Sequence, residues 1–247
     1  MSQQYAQEKI KPYSQTEGKT EQVEQMFNNI AHSYDFLNHF LSCGIDRNWR
    51  KKAILSLKPF APNRMLDVAT GTGDFAILAA KLLSPKEIVG LDLSEEMLRV
   101  AEKKVADEKL DGVISLTKGD CSQLPFDEMQ FDSVTIAYGA RNFSDLELGL
   151  REIYRVLRDD GRLVILELTS PRRGPMRLLF WLYSHVYMPM VGRIISKDTS
   201  AYKYLPATME VFPQGEQMRA ILTRLGYEDV AYKRFTFGLC TLYTAKR

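Results

Sequence analysis

Between residues 21 and 41, apolar side chains recur at spacings of three and four: Val23, Met26, Phe27, Ile30, Tyr34, Leu37 and Leu41. A stripe of that period is one face of an amphipathic helix. A second such stretch covers residues 46–57, with Trp49, Ala53, Ile54 and Leu57 on one side and Asp46 placed to cap it. Pro59 and Pro62 end that pattern. Short apolar runs then take over, around residues 65–69, 88–92, 113–118, 131–137 and 162–168, and read as strands. Helical patterns lie between most of them: one from Phe75, one from the N-cap Ser94 to about residue 108, and one over 145–157 with Leu146, Leu150, Ile153, Val156 and Leu157 inward. Strands alternating with helices predict a parallel sheet covered on both faces. Residues 171–209 carry no strand signal. A helix over 214–225, stopped by Gly226, and two strands near 227–235 and 239–245 complete the chain, with Gly238 as the bend. Those two strands are too close for a helical crossover and should pair antiparallel.

This pattern divides the chain into a flexible polar tail over 1–20, a helical cap over 21–60, and an α/β domain over 61–247 with an insertion at 171–209. Residues 1–20 lack the apolar core of a signal peptide. No run approaches the roughly 18 apolar residues of a spanning helix. A net charge of +2 implies no field for nucleic acid. Cys43, Cys121 and Cys240 are scattered, which speaks against a disulfide framework or zinc site and fits a reducing cytoplasm. Neither the three histidines nor the acids show metal-ligand spacing.

The stretch most loaded with chemistry is Asp67-Val-Ala-Thr-Gly-Thr-Gly-Asp74. Strand, glycine turn (Gly71, Thr72, Gly73) and helix together are how doubly wound folds cradle a nucleotide-like cofactor. A pyrophosphate at that helix N-terminus would meet Asp67 and Asp74. S-adenosylmethionine, which carries a sulfonium and an ammonium, would tolerate them. Asp92 ends the second strand, nineteen residues after Gly73, where an acid accepts from ribose hydroxyls. Asp120 ends the third strand beside Cys121, within reach of an adenine. The backbone and hydroxyl of Thr72 lie where a cofactor carboxylate or ribose would pass. Gly71-x-Gly73-x-x-Ala76 also satisfies the loose dinucleotide fingerprint, so a NAD(P)-binding oxidoreductase is an alternative, opposed by the two acids.

Further motifs carry a family resemblance: Phe27-Asn-Asn-Ile-Ala-His-Ser-Tyr34-Asp35, Leu37-Asn38, Leu41-Ser42, Trp49, the glycine turn, Ile136-Ala-Tyr-Gly-Ala-Arg-Asn142, Tyr154-Arg-Val-Leu157, the Glu167 region and Tyr202-Lys-Tyr-Leu205. Residues 21–247 thereby resemble the UbiE/MenG family of quinone-biosynthesis C-methyltransferases. The chain departs from that family at Asp46, where histidine is usual, at Arg158-Asp-Asp-Gly161, where Lys-Pro-Gly-Gly is usual, and at Ala137, where some members have a serine cofactor contact. The resemblance implies a class I methyltransferase fold: a Rossmann-like, mostly parallel seven-stranded sheet with its last strand inserted antiparallel. It also implies S-adenosylmethionine as cofactor, bound by Thr72, Asp92, Asp120 and Cys121.

The activity it implies is methylation of a ring carbon ortho to a hydroxyl on a prenylated quinol: demethylmenaquinol, or a polyprenyl benzoquinol of ubiquinone synthesis. Tyr138, Arg141 and Asn142 follow the fourth strand, where the ring should meet the methyl group. Arg141 is then a stabiliser of developing phenolate, or else an ion-pair partner of Asp145. Tyr34 and Asp35 would close over the cofactor from the cap, and His32 is a candidate base. The stretch from Pro171 to Lys197, with Arg172, Arg173, Arg177, Arg193 and Lys197 around an aromatic apolar run, reads as a lipid-tail entry and a site of peripheral membrane association. A methyltransferase of another small aromatic or lipid acceptor, and a non-catalytic scaffold that binds S-adenosylmethionine, are the remaining readings.

Overall fold

The structure, a computed structural model, describes residues 4–42, 44–171, 175–182 and 199–247. Seven strands form one sheet: β1 (Arg64–Val68), β2 (Glu87–Asp92), β3 (Ile114–Lys118), β4 (Phe131–Ala137), β5 (Leu157–Leu168), β6 (Glu228–Phe235) and β7 (Cys240–Lys246). Their order is β3-β2-β1-β4-β5-β7-β6. Strands β1 to β5 pair in parallel, and β7 lies antiparallel between β5 and β6. This is the topology expected of the class I methyltransferase fold, and the strand order reverses between β1 and β4, where open sheets of this kind bind ligands.

The central strands are apolar on both faces because helices cover both. Residues Leu66, Val68, Val134, Ile136, Leu163 and Ile165 are buried against α5 (Leu146–Val156) and α8 (Glu216–Arg224). Met65, Ile88, Val164 and Leu166 are buried against α2 (Ile45–Leu55) and α3 (Asp74–Leu83). Ser94 caps α4 (Glu95–Asp107) by accepting from the Met97 amide, and Asp145 caps α5 by accepting from the Leu148 amide. Helix α1 (Lys19–Leu41) lies over α4, tied at its middle by Asn28, whose side chain accepts from the Ser94 hydroxyl.

Three expectations are corrected. Residues 1–20 are not a free tail where they are described. A 3-10 turn at Ala6–Lys9 buries Gln7 and Glu8, and Glu8 accepts from the Leu146 amide at the start of α5. Tyr5 donates to Glu147 and also packs against the core, as does Ile10 against Val23 and Met26, so polar and apolar contacts together hold this segment. Asp46 does not cap α2. It sits in the first turn behind the cap residue Gly44, buried, accepting from Ser42 and facing Arg50. Strand β5 begins at Leu157, because the 158–161 turn continues the strand instead of interrupting it. The insertion after β5 contributes α6 (Pro175–Leu182) and α7 (Thr199–Val211). Arg172, Arg173, Arg193 and Lys197 lie outside the described residues.

Candidate active site

A cleft opens at the carboxyl ends of β1, β2, β3 and β4. Its floor and one end comprise Val68, Ala69, Gly71, Leu91, Asp92, Gly119, Asp120 and Cys121. Tyr138, Gly139, Asn142 and Phe143 form the other end, and α1 closes the top with Val23, Phe27 and Tyr34. The empty volume, counted out to the open mouth, is about 680 Å³. Two non-glycine residues at its base, Ala69 (φ 55°) and Tyr138 (φ 60°), adopt left-handed backbone at the ends of β1 and β4. Residues of this kind concentrate at ligand sites. Gly139 follows Tyr138 because a Cβ there would stand 2.5 Å from the Ala69 Cβ.

The glycine turn is shaped for a ligand. Gly71 has φ 57°, and a Cβ on it would project toward the Tyr34 ring, 4.0 Å away, with nothing else that close. The space it leaves is continuous with the cleft. Asp92 holds the turn: Oδ2 accepts from the Gly71 amide at 2.7 Å and Oδ1 from the Ser94 amide at 2.9 Å. Burial raises the Asp92 pKa against those bonds, yet the residue still lines the cleft, so its remaining lone pairs are available to a ligand. Asp120 accepts from the Ser122 amide at 2.8 Å and also lines the cleft. Burial and the Asp120 carboxylate push the Cys121 thiol well above its ordinary value, so it stays protonated.

Five residues singled out from the sequence stand elsewhere. Asp67 is fully buried beneath the turn, with Thr70 and Thr135 hydroxyls donating to it at 2.6 Å each. Burial raises its pKa to about 6. Thr72 turns its hydroxyl away from the cleft to Asp35 at 2.5 Å. Gly73 caps α3 and packs against Ala101 of α4. Asp35 accepts from Lys104 at 2.7 Å instead of covering a ligand. Asp74 is ion-paired with both Arg50 and Lys104. Burial works against its charge, but those two cations overcome it and hold the carboxyl below the usual range. Asp67 and Asp74 therefore do not oppose a pyrophosphate: one is sealed off and the other is neutralised by helices distant in sequence. The acids that do face the cleft are Asp92 and Asp120.

At the other end, Tyr34 and Asn142 line the cleft, and Phe27 supports Tyr34 edge-on at 6.0 Å. Asn142 Oδ1 has no hydrogen-bond partner among the described residues. Arg141 is not on the wall. It is buried behind it, paired with the fully buried Glu167 at 2.5 Å and donating to the Tyr138 carbonyl. Asp145, the partner considered from sequence, is occupied as the cap of α5. Burial opposes the Arg141 charge, and Glu167, with Tyr34 and Tyr204, outweighs it and raises the pKa. His32 is not among the residues of the cleft. Glu167, Lys104 and Arg50 were not assigned roles from sequence. Their roles depend on elements meeting in space, and only the placement of Glu167 at the end of a strand could have indicated its position.

Residues 15–247 match the ubiE/COQ5 methyltransferase family as a whole. The chain belongs to that family. It is 56% identical to the demethylmenaquinone methyltransferase of Bacteroides fragilis, over 98% of this chain and 99% of that one. It is 46% identical to the demethylmenaquinone methyltransferase of Porphyromonas gingivalis, over 96% and 97%. It is 43% identical to the ubiquinone/menaquinone biosynthesis C-methyltransferase UbiE of Geotalea daltonii, over 93% and 97%. Among solved structures, a SAM-dependent methyltransferase of Thermotoga maritima aligns with TM-score 0.62 at 19% identity, over 90% of this chain and 98% of that one. The [4+2]-cyclase SpnF aligns with TM-score 0.68 at 17% identity, over 92% and 96%. That a cyclase shares the architecture shows that the fold alone does not specify methyl transfer. The family membership does.

Proposed function

We propose that the protein transfers a methyl group from S-adenosylmethionine to a ring carbon of a prenylated quinol, converting demethylmenaquinol to menaquinol. The observation that carries the menaquinol branch is the 56% identity, end to end, with the Bacteroides fragilis demethylmenaquinone methyltransferase. The cleft suits the donor: a glycine-walled opening beside Gly71, two acids in line at Asp92 and Asp120, and an apolar roof. When bound, S-adenosylmethionine supplies an electrophilic methyl group on a sulfonium.

The residues divide the work as follows. Asp92 accepts from ribose hydroxyls while its other lone pairs hold the turn. Asp120 and the Cys121 backbone meet the adenine. Asp67, Thr72 and Gly73 act indirectly, by fixing the turn. Val23, Phe27 and Phe143 exclude water from the ring. Asn142 Oδ1, buried and without a partner among the described residues, accepts from the ring hydroxyl and orients it. Tyr34 covers the junction of donor and acceptor. Arg141 acts through its field and by holding the loop, its contact with Glu167 keeping it off the ring.

Access for a lipid-tailed substrate fits α6, which exposes Leu178 (64%), Trp181 (50%) and Leu182 (45%) beside Arg177. Among the described residues no helix is long and apolar enough to cross a membrane. An apolar, tryptophan-bearing helix of eight residues instead suits an interfacial contact at the cytoplasmic face of a membrane. The substrate test is methylation assayed side by side on a demethylated naphthoquinol and a polyprenyl methoxybenzoquinol. Turnover of the naphthoquinol alone supports the menaquinol branch. Equal turnover of both makes the enzyme dual, a reading that the name of the Geotalea daltonii relative favours. Turnover of neither, with S-adenosylmethionine bound, refutes the proposal.

A further inference from the structure

Lys19, the first residue of α1, is a charged side chain sealed in the interior, only 6% exposed. Its ammonium donates to three carbonyls: Gln7 at 2.8 Å, Phe143 at 3.2 Å and Arg141 at 3.4 Å. Gln7 belongs to the N-terminal 3-10 turn. Arg141 and Phe143 flank Asn142 in the loop between β4 and α5 that forms the acceptor end of the cleft. Thr20, next to Lys19, lines the same cleft. The N-terminal segment is itself anchored elsewhere, by Tyr5 on Glu147 at 2.8 Å and by Glu8 on the Leu146 amide at 2.9 Å. Lys19 is thus clamped between an anchored strap and the acceptor loop.

We propose that Lys19 is a positioning residue for the methyl acceptor: its ammonium gathers the carbonyls on either side of Asn142 and so sets where Asn142 and Phe143 stand in the cleft. The inference rests on reading that end of the cleft as the quinol site. An ammonium has three N–H donors for three carbonyls. A neutral amine has two and must turn its lone pair toward one carbonyl. The charged and titratable groups facing Lys19 are Glu8, Arg141 and the Cys121 thiol. Burial pulls the ammonium down to about 8, with the Glu8 carboxylate opposing and Arg141 adding to the fall. The loop should therefore loosen as pH rises through about 8.

The test uses the full-length protein, its Lys19→Met variant, and Tyr5→Phe as a control that weakens the strap without touching the loop carbonyls. Amide deuterium exchange is followed at Asn142 and Phe143, whose amides bond within the loop to Gly139 and Ala140. Lys19→Met should speed exchange there about tenfold relative to the rest of the chain, and Tyr5→Phe should not. The ratio of wild-type to Lys19→Met kcat on the quinol should fall as pH rises through about 8, with the dissociation constant for S-adenosylmethionine unchanged within about twofold. Unchanged loop exchange, acceleration spread evenly over the chain as in Tyr5→Phe, or a pH-independent kcat ratio overturns the proposal. If the wild type methylates no quinol, the functional reading fails, and the exchange experiment still decides whether Lys19 holds the loop.

Discussion

Asp92→Asn separates the two tasks given to Asp92. The substitution keeps the shape of the side chain but removes its charge and replaces one acceptor oxygen by an NH2 group. In the wild type one oxygen takes the Gly71 amide and the other the Ser94 amide. In the variant one of those backbone N–H groups faces another donor. A buried donor left unsatisfied costs about 1–3 kcal/mol. For a chain of this length that corresponds to a fall in melting temperature of roughly 2–12 °C. The burial that raises the Asp92 pKa no longer penalises the neutral side chain, which places the loss toward the lower end. Binding is hit separately. Ribose hydroxyls lose a charged acceptor worth about 1.5–3 kcal/mol, so the dissociation constant for S-adenosylmethionine should rise roughly 10- to 150-fold. Isothermal titration calorimetry and thermal unfolding on the same preparation measure both. A lowered melting temperature with affinity within about twofold of wild type would show that Asp92 only ties the turn, and would refute its role in holding the ribose.

Arg141→Ala leaves Glu167 buried without its cation and should cost about 3–5 kcal/mol of stability; Arg141→Met with Glu167→Leu should recover most of that by urea unfolding while turnover stays low. If the double variant regains turnover, Arg141 has no part in the chemistry. Asp67 binds a proton more tightly folded than unfolded, since its pKa is about 6 against an ordinary carboxylate near 4. Its stabilising protonation is complete below about pH 4 and lost as pH rises through 6, by roughly 3 kcal/mol. The stability difference between wild type and Asp67→Asn should shift by about that amount over this window in urea titrations, and a flat difference would show that Asp67 titrates normally. Leu178→Glu with Trp181→Glu should abolish co-sedimentation with anionic liposomes and leave turnover of a short-tailed, soluble quinol intact; unaltered sedimentation would remove α6 as the membrane contact.

The sheet was readable in the chain because its strands carry uninterrupted apolar runs such as Phe131–Ala137, and because Ser94 and Asp145 are caps that name their own helices. The lining of the cleft was legible to the extent that it depends on backbone and strand ends: Gly71, Asp92, Asp120 and Cys121 all line it. What failed were inferences about charge. Asp74 looks free in sequence, and its partners Arg50 and Lys104 arrive from α2 and α4. Arg141 has an acid four residues on, but Asp145 is engaged with its own helix, and Glu167 on the neighbouring strand takes the guanidinium. The N-terminal residues look like a tail because they are polar. They are ordered where Tyr5, Glu8 and Lys19 each find a distant partner, and no local pattern encodes that. Local composition specifies elements, whereas the neutralisation of a charge is a property of the assembled fold.

The most direct measurement supplies S-adenosylmethionine with a trideuterated methyl group together with demethylmenaquinol, and locates the label by mass spectrometry and NMR. Methyl transfer to a ring carbon ortho to a hydroxyl, without ring-oxygen methylation, is the predicted result. Label found on oxygen, or a fully bound donor with no transfer to the ring, would contradict the account.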